Sequence, residues 1–93
     1  MINGSVSEFV DRIHYGDELV FLFRNQKFFL QGFMEEDGRY ALYLDRWDPP
    51  SNTYIWTGRG DTHSYPVDDF LAAAIWDGKS FWDVETEIAW VDD

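Results

Sequence analysis

The chain has no cysteine and only three prolines among its 93 residues. Without thiols, disulfide bonds and thiolate metal sites are excluded. Long apolar runs are also missing, whereas a transmembrane helix needs about 18 to 20 apolar residues in succession. Residues 1–7 carry neither the basic nor the apolar stretch of a signal peptide, so we expect a cytoplasmic location.

Basic residues are scarce, because seven lysines and arginines stand against 18 aspartates and glutamates, for a net charge of -11. Eight of the acids fall within residues 66–93, where Lys79 is the only base. A negative surface repels phosphate backbones and anionic lipids and speeds encounter with basic proteins. We therefore expect no direct binding to nucleic acid or membrane. A basic protein partner is the functional hypothesis, and acidity that serves only solubility is its alternative.

Aromatic residues are abundant, with eight Phe, five Tyr and five Trp. Each buried ring removes roughly 150 to 250 Å² from water. Rings can therefore supply the core that a short chain without covalent staples needs. The length suits a single domain that spans residues 1–93.

The amino-terminal half predicts a short helix followed by a meander of strands. Ser5 and Glu8 match the S-x-x-E capping box, and apolar residues then recur at helical spacing up to Gly16. From residue 18 the apolar period changes to two, which indicates strands around 19–23, 27–34 and 40–47 and an edge strand at 53–57. This order predicts an α+β fold with a three- to four-stranded antiparallel sheet.

Turn residues predict the register of the sheet. A tight turn at Asn25-Gln26 would pair Phe23 with Phe28, and a three-residue loop with left-handed Gly38 would pair Met34 with Tyr40. A two-residue second loop would exchange the faces of the third strand, and we prefer three residues because they gather the aliphatic side chains on one side. That core face consists of Leu19, Phe21, Phe23, Phe28, Leu30, Met34, Leu42 and Leu44. The opposite face, which is too apolar for ordinary solvent contact, carries Glu18, Val20, Leu22, Phe29, Gln31, Phe33, Ala41, Tyr43 and Asp45.

The carboxyl-terminal third predicts two helices packed on one face of the sheet. Pro66, Asp68 and Asp69 suit the positive first turn of one helix. A capping pattern at residues 80–83 begins the other. We expect this final helix to reach residue 91, with one apolar face formed by Phe81, Val84, Ile88 and Val91.

The segment 67–88, which includes Asp77-Gly78-Lys79-Ser80, resembles a carboxyl-terminal module of small, acidic, uncharacterised bacterial proteins. Those chains also begin with a short helix and a two-strand hairpin. The resemblance implies a related fold, and it implies no activity, cofactor or site residue. In size and acidity the chain is also similar to immunity proteins and antitoxins.

No pattern in the sequence predicts catalysis or a metal site. Asp61 and His63 supply two ligands where a metal needs three or four, and Ser64 beside them lacks the motif of a catalytic nucleophile. Residues 59–61 read Arg-Gly-Asp, a tripeptide that integrins recognise in exported proteins, but nothing in the sequence indicates export. Gly58 and Gly60 lack the third glycine or the Lys-Ser/Thr pair that a phosphate-binding loop needs, so the run predicts a glycine turn. We therefore expect no enzyme activity and no cofactor.

Two surfaces remain as candidate interfaces. The first is the apolar part of the second sheet face, formed by Val20, Leu22, Phe29, Phe33 and Tyr43. The second is the acidic final helix, with Trp82, Asp83, Glu85, Glu87, Trp90 and Asp92. Aromatic anchors within a charged rim are typical of protein interfaces.

The leading hypothesis is a protein-binding module without enzyme activity, similar to an immunity protein or antitoxin, that engages a basic protein. One alternative is a homo-oligomeric module, such as a homodimer, that buries the second sheet face in a twin subunit. Another is a DNA mimic whose ordered carboxylates inhibit a DNA-binding protein.

Overall fold

A five-stranded antiparallel sheet forms one layer of the computed structural model, which describes residues 1–91. Its strands are β1 (Leu19–Phe23), β2 (Gln26–Met34), β3 (Tyr40–Asp48), β4 (Trp56–Arg59) and β5 (Ala89–Val91). They lie in the order β4-β3-β2-β1-β5, so that a meander of four strands is completed by a fifth beside β1. The α+β prediction is confirmed, with more strands than the three or four expected.

The second layer consists of helices α1 (Val6–His14), α2 (Val67–Ala72) and α3 (Phe81–Val84), followed by a 3-10 turn at Glu85–Glu87. The ends of α1 follow the sequence prediction, because the Ser5 hydroxyl accepts the Glu8 N–H at 3.4 Å. Gly16 adopts a left-handed conformation at φ 71° just beyond the helix. Among residues 1–91, no helix is long and apolar enough to cross a membrane.

The core lies between the helices and one face of the sheet. The helices contribute buried side chains such as Phe9, Phe70 and Phe81. The sheet contributes the residues predicted for its core face, namely Leu19, Phe21, Phe23, Phe28, Leu30, Leu42 and Leu44, all at most 5% exposed. Met34 differs from the prediction, because it lies at the end of β2 and is 64% exposed.

The first hairpin turns one residue earlier than the sequence predicts. Arg24 and Asn25 form the turn with φ values of 48° and 64°, and Phe23 pairs with Gln26 rather than with Phe28. Positive φ at both central residues is the geometry that two-residue hairpins favour. The pairing differs from the prediction by two residues, which leaves every side chain on its expected face.

The second hairpin is confirmed as predicted. Met34 pairs with Tyr40 and Gly32 with Leu42, and the Glu35 N–H donates to Arg39 O at 2.8 Å, which leaves a three-residue loop. Gly38 adopts φ 85° in this loop.

The fourth strand begins three residues later than the predicted 53–57 and ends two residues later. It starts at Trp56 and includes Gly58 and Arg59, which the sequence placed in a glycine turn. A Cβ at residue 58 would collide with the Trp56 ring, so glycine lets this indole fold back over the strand.

The predicted final helix is wrong beyond its first turn. Helix α3 ends at Val84, and Ala89–Val91 form β5, which pairs antiparallel with β1. The apolar spacing still identified the buried residues, because Phe81, Val84 and Ile88 are at most 1% exposed. Backbone groups along β1 would otherwise remain unpaired, and pairing with β5 outweighs the helical periodicity.

Candidate functional site

One face of the sheet points away from the helices, and we call it the outer face. It carries a row of apolar and aromatic residues. Cross-strand pairing joins Val20 to Phe29 and Phe29 to Asp45, and none of these three belongs to the core between the layers. The outer face carries Val20, Leu22, Phe29, Gln31, Phe33, Ala41, Tyr43, Asp45 and Trp47, and Tyr54 from the loop before β4 packs on it. The first predicted surface, Val20, Leu22, Phe29, Phe33 and Tyr43, therefore lies together on one side of the sheet.

Aromatic rings on the outer face form two stacks. Phe29 stacks on Trp47 with ring centroids 4.4 Å apart and an interplanar angle of 17°. Tyr43 stacks on Tyr54 at 4.9 Å and 22°, and Phe33 packs against Tyr43 at 5.2 Å with the two rings tilted by 55°. Such pairs are worth about 0.5 to 1.5 kcal/mol beyond the area they bury. Neighbouring rings therefore hold one another in place.

Much of this aromatic surface is open to solvent. Phe33 is 42% exposed, Trp47 46% and Tyr54 49%, and Leu22 is 36% exposed at the far end. Val20 and Phe29 are buried, and the Trp47 ring stacks on Phe29. Contiguous exposed apolar surface on a small protein commonly marks a site of interaction.

The sequence analysis missed Trp47 and Tyr54. The alternation that placed Tyr43 and Asp45 on the outer face reaches Trp47 after one further step, so a signal was present. Tyr54 fell in the edge strand predicted at 53–57, but the strand begins only at Trp56, so Tyr54 lies in an irregular segment where alternation does not indicate the direction of its side chain.

Charged residues border the outer face, and some of them form hydrogen bonds or ion pairs with one another or with its aromatic residues. Glu35 accepts the Tyr43 hydroxyl at 2.7 Å and lies 3.4 Å from Arg59 Nε. The hydrogen bond to Glu35, reinforced by burial, raises the pKa of the Tyr43 hydroxyl. Lys27 lies opposite Asp48 across β2 and β3. Asp45 accepts the backbone N–H of Arg46 at 2.8 Å and forms no ion pair within residues 1–91.

The second predicted surface is divided by the structure, because its acids contact different parts of the chain. Asp83 belongs to the α3 capping box, where Oδ2 accepts the Ser80 N–H at 3.2 Å and the Ser80 hydroxyl at 3.1 Å. Glu85 binds the Met1 amino group at 2.8 Å. Glu87 accepts Arg24 Nε at 3.1 Å. Asp92 lies outside the described residues.

The two tryptophans of that surface also separate. Trp82 is 55% exposed and lies in the helical layer, where its ring packs edge-on against Phe81 at 5.3 Å. Trp90 pairs with Phe21 and turns towards the core, where its ring meets Phe9 edge-on at 5.3 Å. The Arg12 guanidinium lies over the Trp90 ring, 5.5 Å from its centroid.

The residues Asp61, His63 and Ser64 form a turn. Asp61 Oδ1 accepts the backbone N–H groups of His63 and Ser64 at 2.7 and 2.8 Å, and these bonds lower the pKa of Asp61. The Ser64 hydroxyl also donates to Asp61, at 3.2 Å. No group of three or more histidines and carboxylates within residues 1–91 could hold a metal ion.

No family model matches this chain, and neither a curated protein nor a solved structure matches it either. The assignment of function therefore depends on the geometry of the surface.

Proposed function

We propose that the chain is a protein-binding module that docks a basic partner protein on its outer face. The observation that carries this proposal is the pair of partly exposed aromatic stacks on a sheet face that none of the helices within residues 1–91 covers. Rigid aromatic anchors lose little side-chain freedom on binding, which is why they dominate interface energies. The proposal keeps the cytoplasmic location expected from the sequence and includes no catalytic step.

Electrostatics favours a basic partner over a second copy of the chain. Four acids border or lie on the outer face, Glu18, Glu35, Asp45 and Asp48, against three bases, Lys27, Arg39 and Arg59. The chain as a whole carries a net charge of -11. Two such surfaces repel each other, whereas a basic protein is steered towards them.

Site-specific photo-crosslinking in the native host tests this proposal. We expect a chain with p-benzoylphenylalanine in place of Phe33 or Tyr54 to crosslink one shared protein of basic isoelectric point. Incorporation at Tyr15, an aromatic residue that is 71% exposed at the end of α1, supplies the matched control. Mass spectrometry of the crosslinked bands identifies the product.

The outcomes separate the candidate functions. Identical products from the Phe33, Tyr54 and Tyr15 positions would contradict docking on the outer face. Crosslinks that join only two copies of the chain would support the homo-oligomeric alternative instead. A product found at the two outer-face positions alone supports the proposal.

A further inference from the structure

Asp45 is the acid on the outer face that lies among its aromatic rings. It follows Tyr43 and precedes Trp47 by two residues each on β3, so it lies about 7 Å along the strand from either. Across the sheet it is paired with Phe29. The carboxylate is therefore bordered by a ring on both sides along its strand and by a third on the neighbouring strand.

The Asp45 carboxylate is only partly used inside the protein. Oδ1 accepts the N–H of Arg46 at 2.8 Å. The Arg46 side chain points away, because its Nε donates to Pro49 O at 2.9 Å. Within residues 1–91, no lysine, arginine or histidine forms an ion pair with Asp45, whereas Glu35 nearby is paired with Arg59. Asp45 thus keeps a negative charge and acceptor capacity in an aromatic setting.

Resting on the proposed function, we propose that Asp45 and the exposed Trp47 ring receive an arginine side chain of the partner protein. A guanidinium is planar and weakly hydrated, so it stacks on an indole and donates two parallel hydrogen bonds to a carboxylate. The Tyr43 and Phe29 rings exclude water from this contact. A lysine ammonium is more strongly hydrated and cannot form the bidentate bond, which makes arginine the better match.

A defined small probe tests the inference without knowledge of the partner. N-acetyl-L-arginine methylamide is titrated into the ¹⁵N-labelled protein, and the amide and indole shifts are followed by NMR. We expect saturable shifts in the millimolar range at Asp45 and Trp47. The citrulline analogue, which has the same shape without the charge, should bind about tenfold more weakly.

Two variants assign the binding to the carboxylate. Asp45→Asn keeps the oxygen that accepts the Arg46 N–H, so its spectrum should remain that of the folded protein, while arginine affinity falls about tenfold. Glu36→Gln removes the same charge from the exposed loop between β2 and β3 and should leave the affinity unchanged. Trp47→Leu, with Asp45 intact, should also weaken binding.

Three results would overturn the inference. They are equal binding of the citrulline analogue, tighter binding of N-acetyl-L-lysine methylamide titrated in the same way, and shifts that map to residues 77–88 instead of the outer face. Each of them leaves the crosslinking result at Phe33 untouched. Failure of the arginine contact is therefore distinguishable from failure of the proposed function.

Discussion

Gly32 on β2 lies against Gly16, in the short segment that joins helix α1 to strand β1. A Cβ at this position would lie 2.5 Å from Tyr65 Cε1 and 2.7 Å from the Gly16 Cα. The Gly16 atom belongs to the backbone, so it cannot move aside as a flexible side chain would. The Gly32 N–H also donates to Gly16 O at 3.3 Å, which ties the two segments together.

We expect Gly32→Ala to lower the free energy of unfolding by about 1 to 3 kcal/mol, because the methyl group overpacks this contact. Gly38→Asn is the control, since a side chain there meets nothing within 4 Å and asparagine tolerates the φ of 85°. Urea unfolding followed by tryptophan fluorescence measures both. A Gly32→Ala variant as stable as the wild type would contradict the packing described for this site.

Most single side chains on the sheet could be placed from the sequence, because alternation fixes the face of a residue even when the pairing is displaced. Phe23 and Phe28 show this, since they lie on the core face as predicted although they do not pair with each other. Asp45 was also placed on the correct face of the sheet. Its position among aromatic rings depends on two further features, the neighbouring Trp47 and the pairing of Asp45 with Phe29 across β2 and β3. The stacking of Tyr54 on Tyr43 depends on a loop conformation that has no period.

At the scale of elements, helix α3 depends on its cap because it is a single turn long. Asp83 accepts both the N–H and the hydroxyl of Ser80, and it thereby begins the helix that carries Phe81 and Val84 into the core. The acidic character of this residue therefore has a structural use in addition to any contact with a partner.

We expect Asp83→Ala and Ser80→Ala each to lower the free energy of unfolding by about 1 kcal/mol, as loss of an amino-terminal cap does. The Ser80 variant retains the charge of residue 83, so agreement between the two assigns the effect to the cap. Glu87→Gln removes an exposed ion pair with Arg24 and should change stability by less than about 0.5 kcal/mol. Urea denaturation checks all three, and a Glu87→Gln effect as large as that of Asp83→Ala would refute this division of roles.

The end of the chain could not be predicted from local pattern alone. Residues 81, 84, 88 and 91 have the spacing of a helical face, and three of them are buried as that pattern requires. Trp90 and Val91 nevertheless have side chains that favour strands. The open side of β1, which lies some 70 residues earlier in the chain, selects the strand. Pairing between segments so far apart in the chain cannot be predicted from the apolar spacing within residues 81–91 alone.

At the scale of the whole molecule, charge opposes self-association. Each chain carries a net charge of -11, and the outer face has more acids than bases. We expect light scattering at low ionic strength to give the mass of one chain, 11.0 kDa, at every concentration tested. A mass of twice that value under these conditions would favour the homodimeric alternative over a basic partner.

The position of β5 also determines when the sheet can be completed. Strands β1 to β4 follow one another along the chain, but β1 acquires its second neighbour only from Ala89–Val91. During synthesis, the ribosome releases the meander before the residues that close it. For that interval, β1 is an edge strand of five apolar residues, Leu19–Phe23, whose unpaired backbone groups can accept a strand from another chain. Once released, β5 pairs with β1 and thereby closes this edge to strands of other chains.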